Sequence, residues 1–178
     1  AVLAARSKDN FYNTSTYSNP AANPGVWQSV LAATPYATAG ANDYAMAFTM
    51  PLSASSPDAR RIKSPPRLTS GKYRRDFEET KAYGKLTSAN RAPAMTNVVQ
   101  FWTESGFTLW SRNVRDIVTA RGRNEVETAR VLAAFSVATG DAMLACFESK
   151  YAHMFWRPWQ AIQRADRPDP AWTPADPP

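Results

Sequence analysis

Apolar residues recur at helical intervals from Leu68 onward, but not before it. The second part of the chain holds stretches with apolar side chains every three or four residues, which is typical of amphipathic helices. Residues 1–68 instead carry half of the prolines, many Asn, Ser and Thr, and no sustained helical or alternating period. We therefore predict an all-α protein, with an irregular proline-rich arm over residues 1–68 packed on a helical part over residues 69–178.

Local signals predict where the helices begin and end. Ser70 is a candidate N-cap for a helix that runs to about Tyr83. The clearest helix runs for about 25 residues after Asn124, which forms a capping-box variant with Glu127 three residues later. Further helices are expected over residues 94–104, 108–120 and 158–164, with Gly106 as a separator and Gly122 as a stop.

The long helix after Asn124 carries apolar side chains almost all round its circumference. Alanines widen the apolar surface that larger residues such as Leu132, Phe135 and Leu144 begin. A helix of this kind is typical of the centre of a bundle, so we expect it to be buried. No run of about 18 uncharged apolar residues exists, so we also predict that the chain is soluble and has no membrane span.

Charge and composition narrow the function classes. The single cysteine and single histidine exclude an internal disulfide and any site built from several thiolates or imidazoles. The net charge of +6 suggests an anionic partner, and many of the Lys and Arg lie between Arg60 and Arg91. No aromatic residues alternate with these cations and no nucleic-acid motif is present. We interpret the stretch as a solvated surface and predict no nucleic-acid partner.

Lys150 and Arg157 are the candidate functional residues. They are two cations with aromatic residues close by in the sequence. In a continuous helix their spacing puts both on one face with Cα atoms about 10 Å apart, so that their side chains could bind one small anion. Pro158 favours a break that starts a new helix at Arg157, where free N–H groups attract anions. Desolvated cations beside rings such as Trp156 are costly without an anion. Two solvated side chains, or Arg157 stacked on an indole, are the structural alternatives.

The pattern Lys150-x6-Arg157-Pro158 resembles the first signature of the vanadium-dependent haloperoxidase and type 2 phosphatidic acid phosphatase superfamily. Its flanks are similar to the soluble haloperoxidase-related branch in the stretches Ala145-Cys146-Phe147-Glu148-Ser149-Lys150-Tyr151, Phe155-Trp156-Arg157-Pro158, Ala161-Ile162 and Trp172-Thr173-Pro174. The resemblance covers residues 60–178, and is weaker before Ala145.

The resemblance implies a helical bundle of the vanadium haloperoxidase type that holds vanadate or a phosphate-like oxyanion. Lys150 and Arg157 would bind its oxygens as the catalytic and cofactor-binding residues. Phe147, His153 and Trp156 would line the pocket, and none of the five is expected to bond a metal ion. A haloperoxidase uses the vanadate and peroxide to oxidise a halide.

The later signatures of the superfamily, Pro-Ser-Gly-His and a Ser-Arg with a downstream His, are absent from these 178 residues. We therefore expect this chain to be inactive alone and to be completed by a second polypeptide or a further C-terminal part. Phe147 stands where relatives often carry Trp, which leaves the halide open. The sequence does not fix the compartment or the oligomeric state, and secretion and a homo-oligomer are both compatible with it.

Two alternatives stay open. The first is an acid phosphatase of the same superfamily, which passes the phosphoryl group of a phosphate ester to a histidine and then to water. The second is a structural protein that kept the fold and lost the later signatures.

Overall fold

Helices and irregular connections make up the computed structural model, which describes residues 4, 6–11, 17–29, 44, 46–165 and 168–175. The α-helices with described bounds are α1 (Gly71–Tyr83), α2 (Pro93–Trp102), α3 (Gly106–Ala120), α4 (Glu125–His153) and α5 (Pro158–Arg164), after a short 3-10 helix at Pro57–Arg60. Within these residues extended chain pairs only in two isolated bridges, between Val26 and Phe155 and between Lys85 and Pro174. The prediction of an all-α protein is confirmed.

The helix ends follow from the residues that flank them. The Ser70 hydroxyl accepts the Tyr73 N–H at 3.1 Å, and the Asn124 side chain accepts the Glu127 N–H at 2.9 Å. Both residues are thus the N-caps that the sequence predicts. Gly106 differs from expectation, because it begins α3 instead of separating two helices. A glycine destabilises a helix most in its interior, so this first position tolerates it better.

The chain divides into two units. The first unit contains the described residues of Ala1–Asn19, Ser29–Lys63 and Trp110–Met154, and the second those of Pro20–Gln28, Ser64–Leu109 and Phe155–Pro178. Helix α4 is the main element of the first unit. Helices α1, α2 and α5 belong to the second.

Tryptophans form much of the core of the second unit. The buried apolar side chains there include Trp27, Trp156, Ala161, Ile162 and Trp172. The Trp172 indole N–H donates to the Lys81 carbonyl at 3.1 Å, which fastens the segment after α5 to the last turn of α1. Trp27 of the irregular arm is buried, and the carbonyl of the next residue, Gln28, accepts a hydrogen bond from the Gln160 side chain of α5 at 2.6 Å.

Arg91 closes the C-terminal end of α1. Its Nη1 donates to the carbonyls of Tyr83 and Lys85 at 2.6 and 2.7 Å, and its Nη2 to that of Leu86 at 3.0 Å. Its Nε donates to the Thr96 hydroxyl at 3.0 Å. The last carbonyls of a helix have no partner inside it, and one guanidinium here satisfies several acceptors at that end. This cation of the basic stretch is therefore used inside the molecule.

The expectation that the long helix is buried is wrong, because most residues of α4 are not buried. Its buried residues are Asp141, Leu144, Glu148 and Ser149, while Val126 is 70% exposed. The buried face of α4 instead holds a row of polar side chains, described below, together with Leu144.

Among the described residues, α4 is also long and apolar enough to cross a membrane, by length and composition only. A core helix or a signal sequence meets the same criterion, so this is weak evidence. The absence of a membrane span stays a prediction.

Replacing Arg91 by Met should lower the free energy of unfolding by about 1–3 kcal/mol, because several carbonyls at the end of α1 lose their charged donor. Chemical denaturation followed by circular dichroism measures the change. Arg74→Met, at an exposed position of α1, is the matched control and should change stability little. Equal stability of the two variants would contradict the role of Arg91.

Candidate functional site

A row of polar side chains lies along the C-terminal half of α4. Its members are Asp141, Glu148, Ser149 and His153, and we call them the polar stripe. Intervals of seven, eight and twelve residues keep these positions near one face of a helix. Asp141, Glu148 and Ser149 are buried, with exposed fractions of 4%, 5% and 2%. Residues 52–62, the covering segment, supply the groups that the stripe contacts.

Asp141 fixes the start of the covering segment. Its two carboxylate oxygens accept the backbone N–H groups of Leu52 and Ser53, each at 2.7 Å, and the Ser53 hydroxyl also donates to it. Arg60 in turn donates to the Ser53 hydroxyl at 3.0 Å. A carboxylate that accepts several hydrogen bonds replaces the water it loses on burial.

Glu148, Ser149 and His153 fix the end of the covering segment. Arg61 donates through Nε to Glu148 Oε1 at 2.7 Å and through Nη2 to the same oxygen. The Ile62 N–H donates to the Ser149 hydroxyl at 3.1 Å, and the Ile62 carbonyl lies 2.8 Å from His153 Nε2. The covering segment is therefore held at both ends by side chains of one helix.

The charges in this contact shift two pKa values. Burial by itself would raise the pKa of Asp141, but the hydrogen bonds from Ser53 and Leu52 and the charge of Arg60 together lower it. The hydrogen bond to Glu148 raises the pKa of Arg61. The lowered pKa means that the folded protein favours the ionised form of Asp141.

Lys150 lies next to the stripe, in the last turn of α4, and is half-buried against aromatic rings. Its Nζ is 5.2 Å from the centre of the Phe147 ring and 5.0 Å from that of Tyr151, within the range of a cation–π contact. The Tyr151 ring also contacts those of Tyr17 and Tyr44, at centroid distances of 5.4 and 4.9 Å. The structure thus brings together Lys150 and Phe147 of the predicted site residues.

Arg157 is exposed and occupies the N-cap position of α5. Helix α4 ends at His153, and Met154 follows in the left-handed conformation with φ of 46°. The predicted break before Pro158 is confirmed, and the one-face geometry of a continuous helix does not apply. The Arg157 backbone N–H donates to Gln160 Oε1 at 3.1 Å. Lys150 belongs to the first unit and Arg157 to the second.

The other two predicted site residues have structural surroundings of their own. His153 Nε2 is engaged with the Ile62 carbonyl, as described above. Trp156 is 6% exposed in the second unit, and its Nε1 has no hydrogen-bond partner among the residues the structure describes. Their assignment to the lining of an oxyanion pocket stays a prediction.

The side chains present suit the oxygens of an oxyanion better than a metal ion. Lys150 and Arg157 are donors with positive charge, and such groups bind phosphate-like oxygens. In the described part of the chain, no three His, Cys, Asp or Glu residues are grouped so as to hold a metal. The only histidine has one ring nitrogen engaged with a carbonyl. The side chains of Lys150 and Arg157 thus each suit an oxygen of a phosphate-like or vanadate oxyanion, and neither is an evident ligand to vanadium.

Sequence reasoning missed the residues that organise this helix end. Asp141 looks like a solvated charge in the sequence, since it has no neighbour of opposite charge at helical spacing. Arg61 has only Asp58, three residues earlier, which is not its hydrogen-bond partner in the structure. The signal that could have found Asp141 is its position on an apolar helix, where an acid is expected to have a partner. Its partners lie 88 and 89 residues earlier in the chain and cannot be located from the sequence.

The comparisons with protein-family models, with curated proteins and with solved structures found no match to this chain.

Asp141→Asn should lower the free energy of unfolding at neutral pH by about 1–3 kcal/mol. An amide retains one acceptor oxygen but turns an NH2 toward donors of the covering segment. Because folding lowers the pKa of Asp141, the charge of Asp141 stabilises the folded protein above its unfolded pKa, which is about 4. This stabilisation is lost as the pH falls through the folded pKa. Thermal melts from pH 7 to about pH 2.5 should thus converge for the variant and the parent chain.

Asp116→Asn is the control, because Asp116 is an exposed acid on α3. It should leave both the stability at neutral pH and its acid dependence nearly unchanged. A gap between parent and Asp141→Asn that stays constant down to low pH would show that the charge of Asp141 does not stabilise the fold.

Proposed function

We propose that this chain is part of a vanadium-dependent haloperoxidase-like enzyme, in which Lys150 and Arg157 hold the oxygens of vanadate. The observation that carries the proposal is the Lys150-x6-Arg157-Pro158 sequence, with its cations set among aromatic residues. The all-α fold is compatible with a helical bundle of that superfamily. Bound vanadate would supply the activation of peroxide for the oxidation of a halide.

The surroundings of Lys150 support its part in this proposal. The faces of Phe147 and Tyr151 attract the ammonium group through cation–π contacts, which hold a positive charge beside the end of α4. The contacts of the polar stripe fix the helix turn that carries it. A cation on a fixed turn loses less conformational entropy when an anion binds than a freely moving side chain does.

Arg157 would bind the oxyanion in a different way from Lys150. Its guanidinium is exposed, and in the described residues no carboxylate forms an ion pair with it. A planar guanidinium can bind two oxygens of one oxyanion at once, which a lysine cannot do. The proposal assigns Arg157 the bidentate contact and Lys150 a single point charge.

Vanadate titrations of the chain, followed by calorimetry, test this assignment. Arg157→Lys should weaken binding about tenfold, because the two-oxygen contact is lost, and Lys150→Met by a similar factor. Arg164→Lys is the matched control, since Arg164 is also exposed and lies on α5. Unchanged affinity in Arg157→Lys, or no binding of vanadate or phosphate by the parent chain, would overturn the proposal.

A turnover assay separates the enzyme classes. The chain should bind vanadate without halogenating a phenol probe in the presence of peroxide and bromide, because the histidine-bearing signatures are absent from its sequence. It should not hydrolyse p-nitrophenyl phosphate either. Hydrolysis of that ester without any halogenation would favour the phosphatase and contradict the haloperoxidase assignment.

A further inference from the structure

The second unit contains a cavity of about 140 Å³ between α1 and α5. Four lining residues come from one face of α1, at helical intervals of three, four and seven: Tyr73, Asp76, Phe77 and Thr80. Phe155 and Trp156, just before α5, line it as well. The wall therefore consists largely of aromatic and aliphatic surface.

The size of the cavity suits one aromatic ring. An apolar cavity of about 150 Å³ in an engineered protein binds benzene. The rings around this cavity already pair with one another, since the Tyr73 ring is 6.1 Å from Phe77 and meets Phe155 edge to face at 6.2 Å. A further ring can pack on the same surfaces with the geometry that aromatic pairs prefer.

Two polar atoms of the lining residues are buried without a hydrogen-bond partner among the described residues. Trp156 is 6% exposed, and neither its Nε1 nor the Tyr73 hydroxyl has a hydrogen-bond partner in the described part of the chain. An indole N–H can only donate, and a phenol can donate or accept. The Thr80 hydroxyl is already used, because it donates to the Asp76 carbonyl at 2.7 Å. A ligand that fits should therefore bring a hydrogen-bond acceptor.

The two residues that carry these polar atoms line the same cavity. Burial raises the pKa of Tyr73, and the nearby Trp156 side chain lowers it in part. One ligand oxygen could thus meet both donors. The carboxylate of Asp76 also lines the cavity, and its charge disfavours an anionic ligand.

We propose that this cavity binds a neutral, single-ring aromatic ketone or aldehyde, whose carbonyl oxygen accepts hydrogen bonds from Trp156 Nε1 and the Tyr73 hydroxyl. Every residue in this argument belongs to the second unit. The proposal is therefore independent of the enzyme function proposed above.

Two probes of nearly equal shape test the acceptor. Acetophenone carries the carbonyl oxygen, and α-methylstyrene has a CH2 group in its place. In ligand-observed NMR titrations of the full 178-residue chain, acetophenone should bind about tenfold more tightly than α-methylstyrene. Equal affinities, or no saturable binding of acetophenone, would overturn the proposal.

Two tryptophan variants locate the donor. Trp156→Phe removes the N–H and should weaken acetophenone binding several-fold more than α-methylstyrene binding. Trp159→Phe is the matched control, because the Trp159 Nε1 is also buried without a partner among the described residues but does not line the cavity. It should leave both affinities unchanged. An equal loss in the two variants would contradict the site.

If Trp156→Phe fails to fold, Tyr73→Phe tests the same site through its second hydrogen-bond donor. This variant retains the ring and removes only the hydroxyl, so the preference for acetophenone over α-methylstyrene should shrink while α-methylstyrene still binds. Circular dichroism confirms the fold of each variant. A preference for acetophenone that Tyr73→Phe leaves intact would contradict the part given to the hydroxyl.

Discussion

Asp141 and Glu148 place two carboxylates inside the first unit, where each needs a substitute for the water it has lost. The covering segment provides that substitute through backbone N–H groups and the Arg61 guanidinium. This requirement decides which face of α4 is covered. The apolar residues of α4 lie all round the helix and favour no particular face, whereas the polar stripe has specific hydrogen-bond partners in the covering segment.

The same constraint bears on the candidate site. Lys150 follows Ser149 directly in the last turn of α4, so the hydrogen bonds of the polar stripe also fix the backbone that carries this cation. Its ammonium group packs on two ring faces. Aromatic faces stabilise a half-buried cation through cation–π attraction. The arrangement is compatible with the proposed role of Lys150, and it also explains why an amphipathic lysine is stable at that depth.

In the second unit, the buried groups that need hydrogen-bond partners are tryptophan N–H groups. Its core is rich in tryptophans, which bury large areas but carry an N–H that needs an acceptor. Trp172 meets this need with the Lys81 carbonyl, and Trp156 does not meet it among the described residues. An unsatisfied donor beside a cavity is a cost to the fold, and a ligand that supplies the acceptor would remove it.

Local chemistry in the sequence was sufficient for the helices. The caps at Ser70 and Asn124, the stop near Gly122 and the break before Pro158 each depend on residues within a few positions, so the pattern predicts them. The pattern also identified Lys150 beside Phe147. It could not identify Asp141 or Arg91 as structural residues, because their partners depend on how the chain folds back on itself.

The sequence by itself determined the all-α character, the helix limits and the order of the two cations. The tertiary structure alone decided that α4 buries Asp141 and Glu148 while many of its apolar residues stay exposed or half-buried. It also decided that the cavity lined by Trp156 has donors without a partner among the described residues. The physical reason is that hydrophobic periodicity and capping act over one or two helical turns. The partner of a buried charge or donor can come from any distance along the chain, and only the folded chain specifies it.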